Sequence, residues 1–155
     1  MNGQRLLLRI WRDVPFPEWL RTIFLRILNP SFMIGASAVV QDSEGRVLLL
    51  KHTYRKHLDW GLPGGWLKRT ESPEHGLERE VFEETGFTVR VTELLAAGSL
   101  EDSQLDLMYR CEFIGGTYTA NEETSAARWV HLSEMPELLP NQLFLLRKAG
   151  LLPPA

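Results

Sequence analysis

Apolar residues recur at helical spacing near the start of the chain, between Glu18 and Leu28. Those that share one helix face are Trp19, Leu20, Ile23, Phe24, Ile27 and Leu28. A shorter apolar stretch, residues 6–11, precedes them, and Pro15 and Pro17 separate the two. The pattern predicts an amphipathic helix that packs on the domain or on a second subunit; binding to an anionic membrane surface is the less favoured alternative.

From Phe32 onward the pattern changes to short runs rich in β-branched and apolar residues. Residues 34–40 and 47–50 form two such runs, and the intervening Asp42 and Gly45 favour a chain reversal, so we predict a hairpin. Longer strands are predicted at 87–97 and 105–114, and a short one at 128–132. In the second of these the alternation places Leu105, Leu107, Tyr109, Cys111 and Phe113 on one face.

Helix signals bracket residues 73–85. Ser72 is a favoured N-cap, Pro73 suits the first helical position, and Gly86 is placed to end the helix in a left-handed conformation. A final helix is predicted at 142–148, with Asn141 as its cap. Strands interleaved with helices predict an α/β fold, and the short connections favour a mixed sheet over a purely parallel one.

Composition narrows the functional classes. The chain has 155 residues and 44% hydrophobic residues, which suits one globular domain. A net charge of −3 gives no electrostatic reason to expect a nucleic-acid polymer as partner. A single cysteine excludes an internal disulfide, and no apolar run approaches the roughly 20 residues that span a bilayer. We therefore expect a soluble, cytoplasmic protein without a stable membrane span.

Three glutamates on helix 73–85 are the first candidates for chemistry. Glu80, Glu83 and Glu84 are separated by three and four positions, so they project into one arc of about 100°. Clustered carboxylates repel one another unless a cation neutralises them, and oxygen ligands suit Mg²⁺. Taken alone, the three residues are better explained as a solvated acidic helix face. Gly64 and Gly65 shift the balance, because glycine permits close backbone approach to a ligand.

The surrounding residues resemble the Nudix box, written G-x5-E-x7-R-E-U-x-E-E-x-G-U with U a bulky apolar residue. The matching residues are Gly65, Glu71, Arg79, Glu80, Val81, Glu83, Glu84, Gly86 and Phe87, so every specified position is met. Residues 60–65 and 128–130 are also Nudix-like, so the resemblance covers roughly 32–139. One departure is Thr70, where many members have Gly. The resemblance implies the Nudix fold, a mixed β-sheet sandwiched between α-helices, here with an extra N-terminal helical segment.

The resemblance also implies roles for individual residues. The implied ligands of Mg²⁺ or Mn²⁺ are Glu80, Glu83, Glu84, the Gly64 carbonyl and Glu123, with Glu122 as the competing register for the last of these. Arg79 would orient the acidic helix, and Glu71 would contact metal-bound water or the helix end. Glu80 is the first candidate for the base that deprotonates the attacking water. Glu123 is the second candidate.

Substrate recognition is assigned more broadly. Arg55 is expected to contact phosphates, Tyr54 to stack on a base, and Gly65 to approach the substrate through its backbone. Lys51, Lys56, Arg69 and Trp66 are further candidates, whereas Trp60 is at least as well explained by packing. Variable segments at 53–59, 99–106 and 115–123 would select the rest of the substrate. No histidine has metal-ligand spacing, so His52, His57, His75 and His131 are expected at the surface or partly buried.

The implied activity is divalent-metal-dependent hydrolysis of a diphosphate linkage in a nucleoside diphosphate joined to another moiety. Alternatives are a pyrophosphatase acting on damaged nucleoside triphosphates, a noncatalytic nucleotide-sensing module, and an isopentenyl diphosphate isomerase that uses a Cys. The intact box and the apolar strand around Cys111 argue against the last two. We expect an N-terminal extension, residues 1–30, a Nudix domain, residues 31–155, and a homodimer or covering contact made by the N-terminal helix.

Overall fold

The computed structural model describes residues 17–28, 32–100 and 103–154. Within these ranges lie three α-helices, which are α1 (Glu18–Leu28), α2 (Pro73–Thr85) and α3 (Pro140–Lys148). The strands are β1 (Met33–Gln41), β2 (Val47–His52), β3 (Trp60–Gly61), β4 (Gly64–Trp66), β5 (Phe87–Gly98), β6 (Gln104–Gly116) and β7 (Thr124–Val130). No helix in this part of the chain is long and apolar enough to cross a bilayer.

The chain divides into two compact units at Phe32. The first unit contains α1, so the predicted N-terminal helix is confirmed with the bounds Glu18–Leu28. The apolar stretch at residues 6–11 lies outside the described residues. The second unit contains every strand named above and both remaining helices.

The sheet is mixed, as predicted, and its order is β3-β2-β1-β6-β5, with β4 paired to β1 and β7 paired to β2. Strand β1 pairs in parallel with β6 along its full length and antiparallel with β4. The predicted reversal between β1 and β2 is present, and the Asp42 carboxylate accepts hydrogen bonds from the Arg46 and Glu44 amides at 2.9 and 3.0 Å. The two strands then diverge, because β4 and β7 occupy the edges where a hairpin would continue.

Two apolar layers cover the two faces of the sheet. Alternate residues of β1, such as Ala38 and Val40, pack with Leu77 and Val81 of α2. The intervening Val39 packs in the other layer with leucines of α3. Burying each large aliphatic side chain contributes about 1.5–3 kcal/mol, so both helices are held firmly to the sheet. The sheet is therefore sandwiched between α2 and α3, as expected for this α/β fold.

The strands predicted at 34–40, 47–50, 87–97 and 105–114 each extend one or two residues further in the structure, and the larger differences concern β7 and the cap of the last helix. Strand β7 begins at Thr124 and ends at Val130, before the predicted end at 132, because β2 supplies its pairing partners and a short 3-10 helix follows at Leu132–Glu134. The prediction that Asn141 caps the last helix is wrong. Leu139 is the N-cap and Pro140 the first helical residue, since proline needs no amide partner there.

Candidate active site

Helix α2 begins and ends where the sequence predicts. The Ser72 hydroxyl accepts a hydrogen bond from the His75 amide at 3.3 Å, and Pro73 occupies the first turn. At the other end Gly86 has φ 75°, and its amide donates to the Phe82 carbonyl at 2.8 Å. Leu77 and Val81 fix one face of the helix in the core, so the glutamates project toward the β4 side of the molecule.

Arg79 binds three of the predicted carboxylates. Its guanidinium forks onto Glu71, with Nη2 at 2.8 Å and Nε at 3.2 Å from the two carboxylate oxygens. Nη1 donates to Glu83 at 2.9 Å, the predicted pair four residues along the helix, and also to Glu80. Hydrogen bonds from Arg79 and from the Lys68 amide lower the pKa of Glu71. Arg79 therefore orients the acidic helix, while Glu71 joins it to the preceding loop.

Glu84 is the buried member of the acidic group, with only 2% of the residue exposed. One carboxylate oxygen accepts a hydrogen bond from the Gly64 amide at 2.8 Å. Burial raises the pKa of Glu84 to about 8; the Gly64 hydrogen bond opposes the shift, and the charges of Glu80 and Glu123 add to it. In the metal-free protein Glu84 is thus largely protonated at neutral pH, and a cation at this position would favour its ionised form.

The expectation that His52 lies at the surface or is only partly buried is wrong. His52 is 2% exposed, and its Nδ1 lies 3.8 Å from Glu84 and 3.2 Å from the Tyr54 hydroxyl. Burial, with a contribution from the Arg55 charge, lowers the pKa of His52 to about 4. The His52 and Glu84 side chains therefore meet as neutral groups at neutral pH and do not form an ion pair.

Gly64 and Gly65 allow β4 to approach both β1 and α2 closely. Gly64 has φ 143°, and a Cβ there would lie 2.1 Å from the Ala36 carbonyl oxygen. A Cβ on Gly65 would lie 2.5 Å from an oxygen of Glu80. The absence of side chains at these positions lets a backbone strand lie directly against the carboxylates of α2.

Thr70, the one departure from the usual box, has φ 72°, a left-handed conformation that glycine adopts without cost. The loop therefore keeps the backbone conformation that glycine favours, despite the Thr side chain.

A cavity lies between β4 and α2. Its lining includes Glu80, Glu84 and Glu123, together with Gly64, Gly65, Tyr54, Trp66, Leu67 and Lys68. Glu123 lies on its rim, whereas Glu122, the alternative register, does not line it. Glu83 does not line it either, since its carboxylate contacts Arg79 and lies 4.0 Å from Lys68. Accordingly, the described residues contain no group of three acidic, His or Cys side chains already set to hold an ion.

A second cavity adjoins the first and shares Tyr54, Gly64, Gly65 and Trp66 with it. Its other lining residues are Gly35, Ala36, Ser37, Arg55, Gln104, Asp106, Leu139, Asn141 and Gln142. The sequence singled out Tyr54, Arg55 and Trp66 individually, and included Gln104 and Asp106 only within the segment 99–106 that was expected to select the substrate. It gave no signal for Leu139, Asn141 and Gln142 from the start of α3.

The predicted cationic residues divide between two kinds of environment. Arg55 lines the second cavity, and its Nη1 is buried without a hydrogen-bond partner among the described residues. Lys51 pairs instead with Asp59 at 3.4 Å, and neither Lys56 nor Arg69 lines either cavity.

Trp60 packs in the core beneath Arg128, whose guanidinium carbon lies 4.0 Å from the ring centre.

Comparison with known proteins identifies the arrangement. A family model described as the NUDIX domain matches residues 31–148, most of the chain. The chain belongs to the Nudix family. It is 34% identical over 109 residues to a MutT-like protein of Streptomyces ambofaciens, covering 70% of each chain. It is 27% identical over 117 residues to an ADP-ribose pyrophosphatase of Methanocaldococcus jannaschii, covering 72% of this chain and 68% of that one.

Solved structures agree on the Nudix fold. A UDP-X diphosphatase superposes with a TM-score of 0.67 at 20% identity, covering 96% of this chain and 78% of the other. The predicted Nudix fold is thus confirmed, and the chain is a pyrophosphohydrolase of the class that acts on phosphorus-containing acid anhydrides. Nudix hydrolases act on small nucleotide substrates and generally use divalent metal ions.

The Nudix residues present here fit a divalent ion. The donors around the first cavity are carboxylates and backbone groups, which hard cations prefer. Glu84 is held buried with its pKa raised by its surroundings, and an ion would relieve that desolvation. The Gly64 and Gly65 backbone also leaves the adjoining space free of side chains. Completing a site requires Glu83, and in part Glu80, to exchange contacts with Arg79 for contacts with the ion.

The isomerase alternative loses its structural basis. Cys111 is 1% exposed within the α2-side core and lines neither cavity, and burial raises the pKa of its thiol to about 12. A thiol in that environment cannot exchange protons with a substrate. The placement of Cys111 in the core, predicted from its strand face, is confirmed.

Proposed function

We propose that this Nudix enzyme hydrolyses the diphosphate linkage of a nucleoside diphosphate joined to another moiety. One observation carries the proposal: Glu80, Glu84 and Glu123, from a helix and a distant loop, line a single cavity against the Gly64–Gly65 backbone. Such a wall of carboxylates repels a diphosphate unless a cation lies between them. The relative named ADP-ribose pyrophosphatase supports the choice of a nucleoside diphosphate derivative.

Mg²⁺ or Mn²⁺ would be held by Glu80, Glu83 and Glu84, with the Gly64 carbonyl and Glu123 as further ligands. When bound, such an ion neutralises developing phosphoryl charge and lowers the pKa of a coordinated water. Among the protein groups, Arg79 keeps Glu80 and Glu83 oriented through its hydrogen bonds. Arg55, which lines the second cavity, offers its guanidinium to an oxygen of the diphosphate.

In the reaction a water oxygen attacks one phosphorus in line while the bond from that phosphorus to the bridging oxygen breaks. Glu80 accepts the proton of the attacking water, and Glu123 is the second candidate for this role. The products are a nucleoside monophosphate and a second phosphorylated fragment. Glu80 is preferred because its side chain lies against Gly65, at the point where the two cavities join.

A hydrolysis screen tests this proposal. Full-length protein is incubated with nucleoside diphosphate sugars, dinucleoside polyphosphates and nucleoside triphosphates, each with Mg²⁺, Mn²⁺ or chelator, and products are identified by chromatography. We expect nucleoside monophosphate from at least one nucleoside diphosphate derivative, and only with a divalent ion. Release of pyrophosphate from triphosphates alone would favour the damaged-nucleotide activity, and metal-dependent binding without any turnover would favour a sensing module.

A pair of isosteric variants separates the two candidate bases. Glu80→Gln and Glu123→Gln remove one carboxylate each, and the pH dependence of kcat is measured for both. With the divalent ion saturating, so that its ligands stay ionised, the fall of kcat at low pH should disappear in Glu80→Gln alone, because the base must be ionised to accept the proton. The same result in Glu123→Gln, with the fall intact in Glu80→Gln, would transfer the role to Glu123.

A further inference from the structure

Three neighbouring strands place Trp66, Gly35 and Asp106 in one row across the sheet. Gly35 is the register partner of Trp66 on β4 and of Asp106 on β6, and directly paired residues share a sheet face. A Cβ on Gly35 would lie 2.8 Å from Asp106 Oδ1 and 3.6 Å from the Trp66 ring. Glycine therefore keeps a Cβ out of the space above β1, and the part of the second cavity that the Trp66 indole and the Asp106 carboxylate flank is called the slot.

Hydrogen-bond acceptors line the carboxylate side of this slot. Asp106 is only 7% exposed, and its Oδ1 accepts from the Gln104 side-chain amide at 2.7 Å. Its Oδ2 lies 3.5 Å from the side-chain nitrogen of Asn141, at the start of α3. Each amide nitrogen uses one of its two N–H groups on Asp106, and the Asp106 carboxylate, which only accepts, keeps further lone pairs for a ligand in the cavity. Such a cluster selects ligand groups that donate hydrogen bonds.

The opposite side of the slot suits a flat apolar group. Trp66 is 49% exposed, although a tryptophan of a folded protein usually buries most of its ring. An exposed indole beside a cavity offers a stacking surface to a planar ring. A sugar would gain less from this surface than a nucleobase, whose face stacks while its edge reaches Asp106.

Charge fixes the direction in which a substrate lies. The Asp106 carboxylate repels phosphate, whereas the Arg55 guanidinium, which also lines this cavity, attracts it. Tyr54, Gly64, Gly65 and Trp66 connect this cavity with the carboxylates of α2. The diphosphate therefore lies toward α2, and the far end of the substrate reaches Asp106.

We propose that the slot between Trp66 and Asp106 binds the nucleobase and selects bases with an amino group on the edge that faces Asp106, namely guanine, adenine or cytosine. Uracil and hypoxanthine lack that donor. The inference rests on the proposed function for its substrate, but it concerns specificity and can be tested by binding alone.

The test compares nucleotides with and without an exocyclic amino group: GMP has one where IMP has hydrogen, and AMP and CMP have one where IMP and UMP have a carbonyl oxygen. Calorimetry with full-length protein and Mg²⁺ measures the Kd of GMP and AMP against IMP, and of CMP against UMP; these monophosphates contain no diphosphate linkage that could be hydrolysed. We expect the amino member of at least one pair to bind about tenfold more tightly, as for one added hydrogen bond to a charged group. Asp106→Asn should reduce that preference to less than threefold, because the neutral amide oxygen accepts a weaker hydrogen bond than the carboxylate does.

Glu44→Gln is the matched control, since it removes a carboxylate in the β1–β2 turn and should leave the preference unchanged. Equal binding within every pair overturns the inference, and it is the result expected if a sugar occupies the slot. A preference of the same size in Asp106→Asn also overturns the inference. Absence of any nucleotide binding overturns it as well. If nucleotides with an amino group bind preferentially but no diphosphate is hydrolysed, the proposed hydrolytic function is wrong, whereas the proposed selection of the base is supported.

Discussion

Glu84 is a buried carboxyl group that also belongs to the proposed metal site. Its carboxylate is buried beside Gly64 and His52, away from the more exposed Glu83. Glu84→Gln should lower turnover by at least about a hundredfold, consistent with losing charge stabilisation in the transition state. Steady-state kinetics on any hydrolysed substrate, with circular dichroism to confirm folding, measures the effect. Activity near the wild-type level in the folded variant would remove Glu84 from the proposed metal site.

The raised pKa of Glu84 also predicts how the stability of the metal-free protein depends on pH. The unfolded carboxyl ionises near pH 4.5 and the folded one near pH 8, so stability falls as pH rises through this window, by up to about 1.4 kcal/mol per pH unit. His52 acts in the opposite direction between about pH 4 and 6.5, because the unfolded imidazole takes up a proton there and the folded one does not. The net decline should therefore be concentrated between pH 6.5 and 8.

Urea denaturation in chelator at several pH values measures this decline. Glu84→Gln is the informative comparison, since the amide imitates the protonated carboxyl and cannot ionise. The variant should be no less stable than the wild type at pH 8, and its stability should change little between pH 6.5 and 8. A wild-type protein whose stability is flat or rising over that interval contradicts the assignment.

Thr70 provides a stability prediction at the same scale. A side chain in the left-handed region costs about 1 kcal/mol relative to glycine, and Thr70 has φ 72°. Thr70→Gly should therefore raise the free energy of unfolding by a few tenths to about 1 kcal/mol, after the greater chain entropy of glycine is subtracted. Thermal and urea denaturation measure the change, and a clear loss of stability in Thr70→Gly would show that the hydrogen bond from the Thr70 hydroxyl to the Arg69 carbonyl outweighs the backbone strain.

At the scale of elements, the approach of β4 to its neighbours depends on two adjacent glycines with different functions. Gly64 meets the β1 backbone, so Gly64→Ala should prevent normal pairing of β1 with β4 and greatly reduce folded protein. Gly65 meets the flexible end of Glu80, which can move aside. Gly65→Ala should therefore fold with a modest loss of stability but lower kcat by at least about tenfold, because Glu80 is displaced.

Expression yield, thermal midpoint and kcat of the two variants test this difference. Equal loss of folded protein in both variants would mean that Gly65, like Gly64, is needed for the pairing of β1 with β4 and has no separate effect on Glu80. Normal kcat in a folded Gly65→Ala protein would show that the position of Glu80 is not critical.

For the whole molecule, the two compact units predict separable roles. Every residue lining the two cavities lies between 35 and 142, and both core layers lie within the second unit. A truncated chain that begins at Ser31 should therefore fold and keep its hydrolytic activity within about threefold of the full chain. Loss of folding or activity would show that residues 1–30 are required by the second unit.

The same truncation tests the predicted dimer. Trp19, Ile23 and Ile27 follow one another at four-residue intervals on α1 and are exposed. Such an apolar face favours association with another chain. Sedimentation should show the full chain as a dimer and the truncated chain as a monomer, and an unchanged oligomeric state would exclude a dimer formed through α1.

The sequence by itself determined the features that depend on residues close together in the chain. Ser72, Pro73 and Gly86 set the ends of α2, because capping depends on residues adjacent in the chain. The spacing of Glu80, Glu83 and Glu84 placed them on neighbouring turns of that helix, and the box identified the family before any contact was known. The mixed α/β fold and the placement of Cys111 in the core followed from apolar periodicity.

Tertiary structure decided which of these groups meet. Glu84 is buried and Glu83 is not, although both are box residues, because the sheet covers only one side of the acidic arc. His52 on β2 contacts Glu84 on α2, and Asp106 near the start of β6 contacts Gln104 and Asn141. Contacts between residues tens of positions apart depend on strand register and helix docking, and a single sequence contains no local signal for either.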